Sequence, residues 1–388
     1  MTDPLSQWLI PISNELKTFD ESKSKSAIIN YIDHFHADFD WSKLRQYNVA
    51  ILGIGNKESE EGLNLVRKAF YSLYIHNNNL KIIDLGNILL DKNNDTDFNK
   101  IEEILSEVLK HNVFIIPFGE SPVYLNYCYN AIKAADCTVT ATYISNTASV
   151  GNTYKPIAND NHIAYLLKEI DENLFGLNIL AYQLYHSEPE SLSLLEKLYC
   201  QTLRLGALRS DFKMIEPLLR DSDLLAINMD SVRQCDSPAS LHSSPNGLYA
   251  EEICQIARYG GISDRLSIAG IFGFNQDKIN CDITFMLVGQ LIWHFIDGFS
   301  KRIVNDSPLK NVNGIKKYIV DMGSSIQQLV FYYSNISERW WMEVPSEKTS
   351  SNLLVACSYD DYRAACRQEV PLRWIWFHQK TAKKHNSD

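Results

Sequence analysis

The stretch Leu219-Arg-Asp-Ser-Asp-Leu-Leu-Ala-Ile-Asn-Met-Asp-Ser-Val-Arg-Gln-Cys-Asp-Ser-Pro-Ala239 decides the reading of this chain. An acidic turn leads into a short apolar run, Leu224 to Ile227, bounded by turn formers, which predicts a buried strand. Polar side chains gather at its C-terminal end: Asn228, Asp230, Arg233 and Asp236. In an open parallel α/β sheet, ligands and metals collect outside the carboxyl ends of strands. Chemistry is therefore expected there.

Outward from this stretch, strands and helices alternate. Towards the N-terminus the expected order is a strand from Val49 to Gly55, a helix (Gly62 to Ile75) and a strand (Leu80 to Leu85). A helix (Phe98 to His111), a strand (Val113 to Pro117), a helix (Leu125 to Ala135) and a strand (Val139 to Ile144) follow. A helix (His162 to Ile170), a strand (Leu177 to Ala181) and a long helix (Pro189 to Leu205) then lead to the central strand. Beyond it come a helix (Tyr249 to Tyr259), a strand (Leu266 to Phe272), a long helix from Ile283 and a strand (Leu329 to Tyr333). This rhythm predicts a three-layer α/β/α fold with a mostly parallel central sheet. Residues 1–44 read as a helical appendage, with Leu9, Ile12, Leu16 and Phe19 at helical spacing and a second helix from Lys25 to His36. The α/β domain is expected over 45–345 and a docking C-terminal extension over 346–388.

Composition narrows the class. With 45% hydrophobic residues in 388, a large core is available, and a net charge of −10 argues against a nucleic-acid surface. No basic-then-apolar leader opens the chain, and Ile283 to Ile303 carries too many polar residues for membrane insertion, so the cytoplasm is the expected compartment. The eight cysteines include no C-x-x-C pair, which argues against a zinc ribbon. Gly53-Ile-Gly55 follows a strand, but Glu58 stands where a dinucleotide fingerprint needs its third glycine. In Asp33-His-Phe-His-Ala-Asp-Phe-Asp40, His34 and His36 diverge on a helix, which favours a solvated end over a ligand cluster.

Longer segments carry a resemblance. Val49-Ala-Ile-Leu-Gly-Ile-Gly55, Leu65-Val-Arg-Lys-Ala-Phe-Tyr-Ser-Leu73, Lys81-Ile-Ile-Asp-Leu-Gly-Asn-Ile88, Glu216 to Asp223, Asp236-Ser-Pro-Ala239, Asn246 to Cys254 and Gly289 to Gly298 are similar to the ureohydrolase superfamily of arginases, agmatinases and formimidoylglutamases. Ser337-Glu-Arg-Trp-Trp-Met-Glu-Val-Pro345 resembles the arginase-like branch of Bacteroidetes. The resemblance implies an arginase-like fold and, in its ancestral type, two Mn²⁺ ions that activate a bridging water. It also shows where the ligands belong. The G-G-D-H turn falls on Phe118-Gly-Glu-Ser121, the D-A-H-x-D cluster on Ser145, Thr147 and Ser149, and the D-x-D pair on Asn228 and Asp230. The substrate-clamping glutamate falls at Gly273. Hydroxyls and one acid are poor partners for two divalent cations, so the expectation is a chain with no cofactor and no catalytic residue.

Three readings follow. The favoured one is a catalytically degenerate ureohydrolase fold serving as a binding or scaffolding protein. The alternative is a hydrolase of linear amidine or guanidino C–N bonds, with a rearranged polar cleft around Asp230, Asp236 and Glu120. In that cleft Arg233 and Asp236 read more simply as an ion pair ordering a loop, and His242 and His294 as satisfied histidines away from carboxylates. The third is an interaction protein using the Trp/Arg-rich segment near Trp374 and Trp376, which also reads as a tail docking on its own domain. Self-association is left open.

Overall fold

The computed structural model describes residues 4–17, 25–76, 79–91, 95–135, 138–170, 172–275, 282–303, 306–309, 314–323, 328–347 and 352–382. Helix α1 (Asn14–Lys17) and strand β1 (Ile32–His34) open the chain, followed by β2 (Val49–Asn56), α2 (Glu60–Tyr71), β3 (Ile82–Leu90), α3 (Asn99–Lys110), β4 (Phe114–Gly119), α4 (Tyr124–Lys133) and β5 (Val139–Ile144). Then come α5 (His162–Leu167), β6 (Leu174–Tyr182), α6 (Pro189–Lys197), β7 (Gln201–Arg204), α7 (Leu205–Ser210), α8 (Ile215–Arg220), β8 (Leu224–Asn228), α9 (Ala250–Ile262), β9 (Ile268–Phe272) and α10 (Asp282–Phe299).

Strands β1 to β9 form one sheet in the order β1-β3-β2-β4-β9-β8-β5-β6-β7, with every pairing parallel. Both faces are covered, so the inner strands β2, β4, β5, β8 and β9 are buried along their whole length, while the edge strand β7 alternates. Ala50, Leu52 and Ile54 face the layer of Ile101, Ile104, Leu105 and Leu125 from α3 and α4. Val49 and Ile51 face Leu63, Val66, Phe70, Ile256, Leu291 and Phe295 from α2, α9 and α10. This is the expected three-layer α/β/α fold. Among the described residues no helix is long and apolar enough to cross a membrane.

Three local expectations are corrected. The helix expected from Lys25 to His36 is absent, and its C-terminal part is the edge strand β1, paired to β3 at Ile32↔Ile82 and Asp33↔Ile83. Ile28 and Ile29 lie in a single helical turn (Ile28–Asn30), and from Ile32 the free sheet edge overrides the weaker helical pattern. Phe19, one member of the expected first helix, lies outside the described residues. The long helix from Pro189 stops at Lys197, where Tyr199 at φ 54° turns the chain into β7. The strand at Leu329 to Tyr333 lies in a second, antiparallel sheet, not in the parallel one.

That second sheet contains β10 (Ile315–Asp321), β11 (Gln328–Ser334), β12 (Trp340–Val344) and β13 (Leu353–Cys357), in chain order. Helices α11 (Tyr359–Cys366) and α12 (Leu372–Ala382) follow, and Ala365, Trp374 and Phe377 pack with Phe331, Trp340, Met342 and Val355. Strands β12 and β13 pair across the boundary expected at 345/346. The seam with the main domain is polar. Arg220 Nη2 donates to Trp340 O and Cys357 O at 3.0 Å each, while its guanidinium lies 4.7 Å from the Trp341 ring centre. Asp221 accepts from Ala356 N at 3.1 Å and from Arg373 Nη2, whose Nε donates to Ala356 O at 2.7 Å. Arg373 and Trp374 of the Trp/Arg-rich segment thus face inward.

Candidate functional site: a cleft at the strand ends

The carboxyl ends of β5 and β8 open into a cleft of about 950 Å³. Its polar lining includes Asn146, Thr147, Ser149, Asn228, Asp230 and His242. Strand β8 delivers Asn228 and Asp230 because a one-turn helix follows it, with the Asn228 side chain accepting from Asp230 N at 3.1 Å. Asn228 Nδ2 also donates to the Tyr143 hydroxyl at 3.0 Å.

Asp230 is buried and doubly engaged. Its Oδ1 accepts from His242 N at 2.7 Å and its Oδ2 lies 3.0 Å from His242 Nδ1. The His242 ring is 76% exposed against 5% for the Asp230 side chain, and both residues line the cleft. This corrects the expectation that His242 sits apart from carboxylates.

The remaining positions hold loops. Thr147 Oγ1 and Ser149 Oγ both donate to His186 O, at 2.6 and 3.4 Å. Ser145 Oγ accepts from Thr147 N, and Ser121 Oγ donates to Asn159 Oδ1 at 2.7 Å. The three residues expected to widen the cleft lie outside it. Glu120 accepts from Asn56 Nδ2 at 2.9 Å and Ser59 Oγ at 3.0 Å, at the ends of β2 and β4. Arg233 forks onto Asp236 at 2.8 and 3.1 Å, and Asp236 also accepts from Ala250 N at the start of α9. Burial works to raise the Asp236 carboxyl, but the bonds from Arg233 and Ala250 hold it below the usual range. The pair orders a loop, as the simpler reading had it.

Gly273 has φ +85°, and a Cβ there would lie 2.0 Å from Asn228 Oδ1. A side chain there would be strained and would have to push the Asn228 side chain aside.

Sequence reasoning missed His162. Its Nδ1 lies 2.9 Å from Asn159 O and its ring meets Tyr143 edge-on at 5.4 Å. Burial pushes its pKa down to about 4, against the opposing pull of the Asn159 carbonyl and Asp160. An unfolded chain takes up the proton near the ordinary value of 6.5, whereas the folded one refuses it until about 4. His162 therefore makes stability fall as pH drops through that window. Urea unfolding of His162→Gln between pH 7 and 4 should show a shallower acid loss than wild type, and parallel curves would refute the assignment.

These features define a doubly wound α/β protein with a polar pocket at a strand-end crevice. Solved structures specify the fold further. The chain is similar to Trypanosoma cruzi formiminoglutamase crystallised with Mn²⁺, at TM-score 0.60 and 15% identity over 66% of this chain and 95% of that one. Formimidoylglutamase from Bacillus subtilis matches at TM-score 0.62 and 15% identity, over 72% and 94%. The agmatine ureohydrolase of Thermoplasma volcanium matches at 0.57 and 15%, over 73% and 97%. The chain thus shares the three-layer α/β/α fold of these ureohydrolases. No family model matches the sequence, and no curated protein does.

These neighbours correct the expectation of a chain without a cofactor. The trypanosomal enzyme of this fold is crystallised with manganese, so the fold gives no warrant for a metal-free state. The side chains as they stand do not fit a pair of divalent cations. Both Asp230 oxygens are engaged by His242, and no three His, Cys, Asp or Glu converge on one point among the described residues.

Proposed function

We propose that this ureohydrolase-fold protein works by binding a ligand or partner at its strand-end cleft rather than by turning over a guanidino or amidine compound. One observation carries the reading. The groups at the expected ligand positions are engaged in loop-holding bonds: Ser121 with Asn159, Thr147 and Ser149 with His186, Asp230 with His242. Bonds of this kind fix the loops that shape the cleft, and a pre-shaped pocket is what ligand or partner binding requires. The purified chain, assayed with arginine, agmatine and formiminoglutamate in the presence of Mn²⁺, is expected to release neither urea nor formamide.

A second reading has its own support in the Asp230–His242 pair, a buried carboxylate orienting an exposed imidazole. It is hydrolysis of a linear amidine or guanidino C–N bond at a rearranged site. Turnover of any of the three substrates that disappears in Asp230→Ala would replace the binding reading with this one.

A further inference from the structure

The two sheets treat their edges differently. In the large sheet the edge strands β1 and β7 have only three and four residues. In the small sheet the β13 edge is plugged by side chains: Ala356 N–H donates to Asp221, and the Ala356 and Cys357 carbonyls accept from Arg373 and Arg220. Among the described residues strand β10 has no such cover. Its seven residues pair with β11 along their whole length. Outside that ladder, among the described residues, only Asp321 O at the strand's end takes a partner, Gln368 Nε2 at 2.8 Å. An antiparallel strand turns alternate N–H and C=O groups outward, and a bare row of them is a template for another strand.

We propose that β10 pairs antiparallel with β10 of a second copy of this chain, about a two-fold axis at Tyr318, giving one continuous eight-stranded sheet. The strand reads Ile315-Lys-Lys-Tyr-Ile-Val-Asp321, and its charge pattern selects the occupant. With Tyr318 opposite its counterpart, Lys317 stands opposite Ile319 of the second copy, diagonal on one side to that copy's Asp321 and on the other to its Lys317, so the pairing makes two lysine–aspartate diagonals against one lysine–lysine diagonal. Lysines on an edge repel most incoming strands. A strand that brings an aspartate to the diagonal is admitted, so the same lysine excludes others and accepts this one. The pairing covers Ile319, which is 58% exposed in the single chain. On the other face it sets Tyr318 against Tyr318, extending the ring cluster in which Tyr318 lies 5.3 Å from Trp340 and 5.4 Å from Tyr362. A two-fold contact of this kind closes on itself and makes a dimer, not a fibre.

The test is the mass of the full chain in solution by light scattering, over about two decades of concentration. Wild type is expected at twice the 44.4 kDa of one chain. Lys317→Glu, which sets a glutamate against Asp321, is expected to halve that mass with the far-ultraviolet circular dichroism spectrum unchanged. Adding Asp321→Lys to it, which restores opposite charges, should bring the doubled mass back. A wild type at single-chain mass throughout overturns the proposal. So does a dimer indifferent to Lys317→Glu, or a charge swap that fails to restore it.

Discussion

Arg67→Met is expected to destabilise the protein by about 3–5 kcal/mol. Helix α2 turns Leu63, Val66 and Phe70 to the sheet, and Arg67 lies among them with no exposure at all. Its Nε and Nη2 fork onto Asp84 at 2.7 and 3.0 Å, Nη2 also reaches Gly86 O at 2.8 Å, and Nη1 reaches Asn87 Oδ1 at 2.7 Å. Tyr71 donates to the same carboxylate. Burial works to lower the arginine's pKa, but the charge and hydrogen bonds of Asp84 outweigh it and hold the guanidinium protonated. Removing the cation leaves Asp84 charged in an apolar layer, and that uncompensated charge is the main cost. Urea unfolding measures it. Arg67→Met with Asp84→Asn should recover a substantial part of the loss, because the stranded charge is gone. A single variant within about 1 kcal/mol of wild type would show the network to be dispensable.

A second large effect concerns the C-terminus. Deleting the residues after Val370 removes α12, and with it Trp374, which is 5% exposed and donates Nε1 to Glu343 O at 3.0 Å. It also removes Arg373 from its bonds to Asp221 and Ala356 O, and Phe377 from the core of the small sheet. Truncating one buried tryptophan to alanine costs about 3–5 kcal/mol, and the deletion takes more than one such residue. The thermal midpoint should fall by about 10 °C or more, at about 2–4 °C per kcal/mol for a domain of this order. A truncated chain that kept the wild-type midpoint would make the segment a surface for a partner instead.

Much of the architecture was legible because local pattern and tertiary context agree. Val139–Ile144 is a strand at the expected residues, Pro189 opens α6, and the run from Leu224 is a strand that extends one residue further, to Asn228. What escaped was decided by distant neighbours. Strand β10 mixes two lysines with tyrosine and isoleucine and shows no strict alternation, so only its ladder with β11 makes it a strand. The site divides the same way. Asn228 and Asp230 follow from their place after a buried run, whereas Asp230 meets His242 across a 12-residue excursion that no local signal announces. Glu120 belongs with Asn56 and Ser59, more than 60 residues away, and so leaves the cleft to others.

The close approach of Gly273 to Asn228 also bears on how this lineage can change. A glutamate at 273, where relatives of this fold are expected to clamp substrate, meets the Asn228 side-chain oxygen at its first carbon. An aspartate at 228 would carry an oxygen at the same place, so a side chain at 273 and an acid at 228 compete for one space. A left-handed glycine at 273 adds backbone strain to any substitution there. A side chain at 273 is therefore accommodated only if the Asn228 side chain gives way.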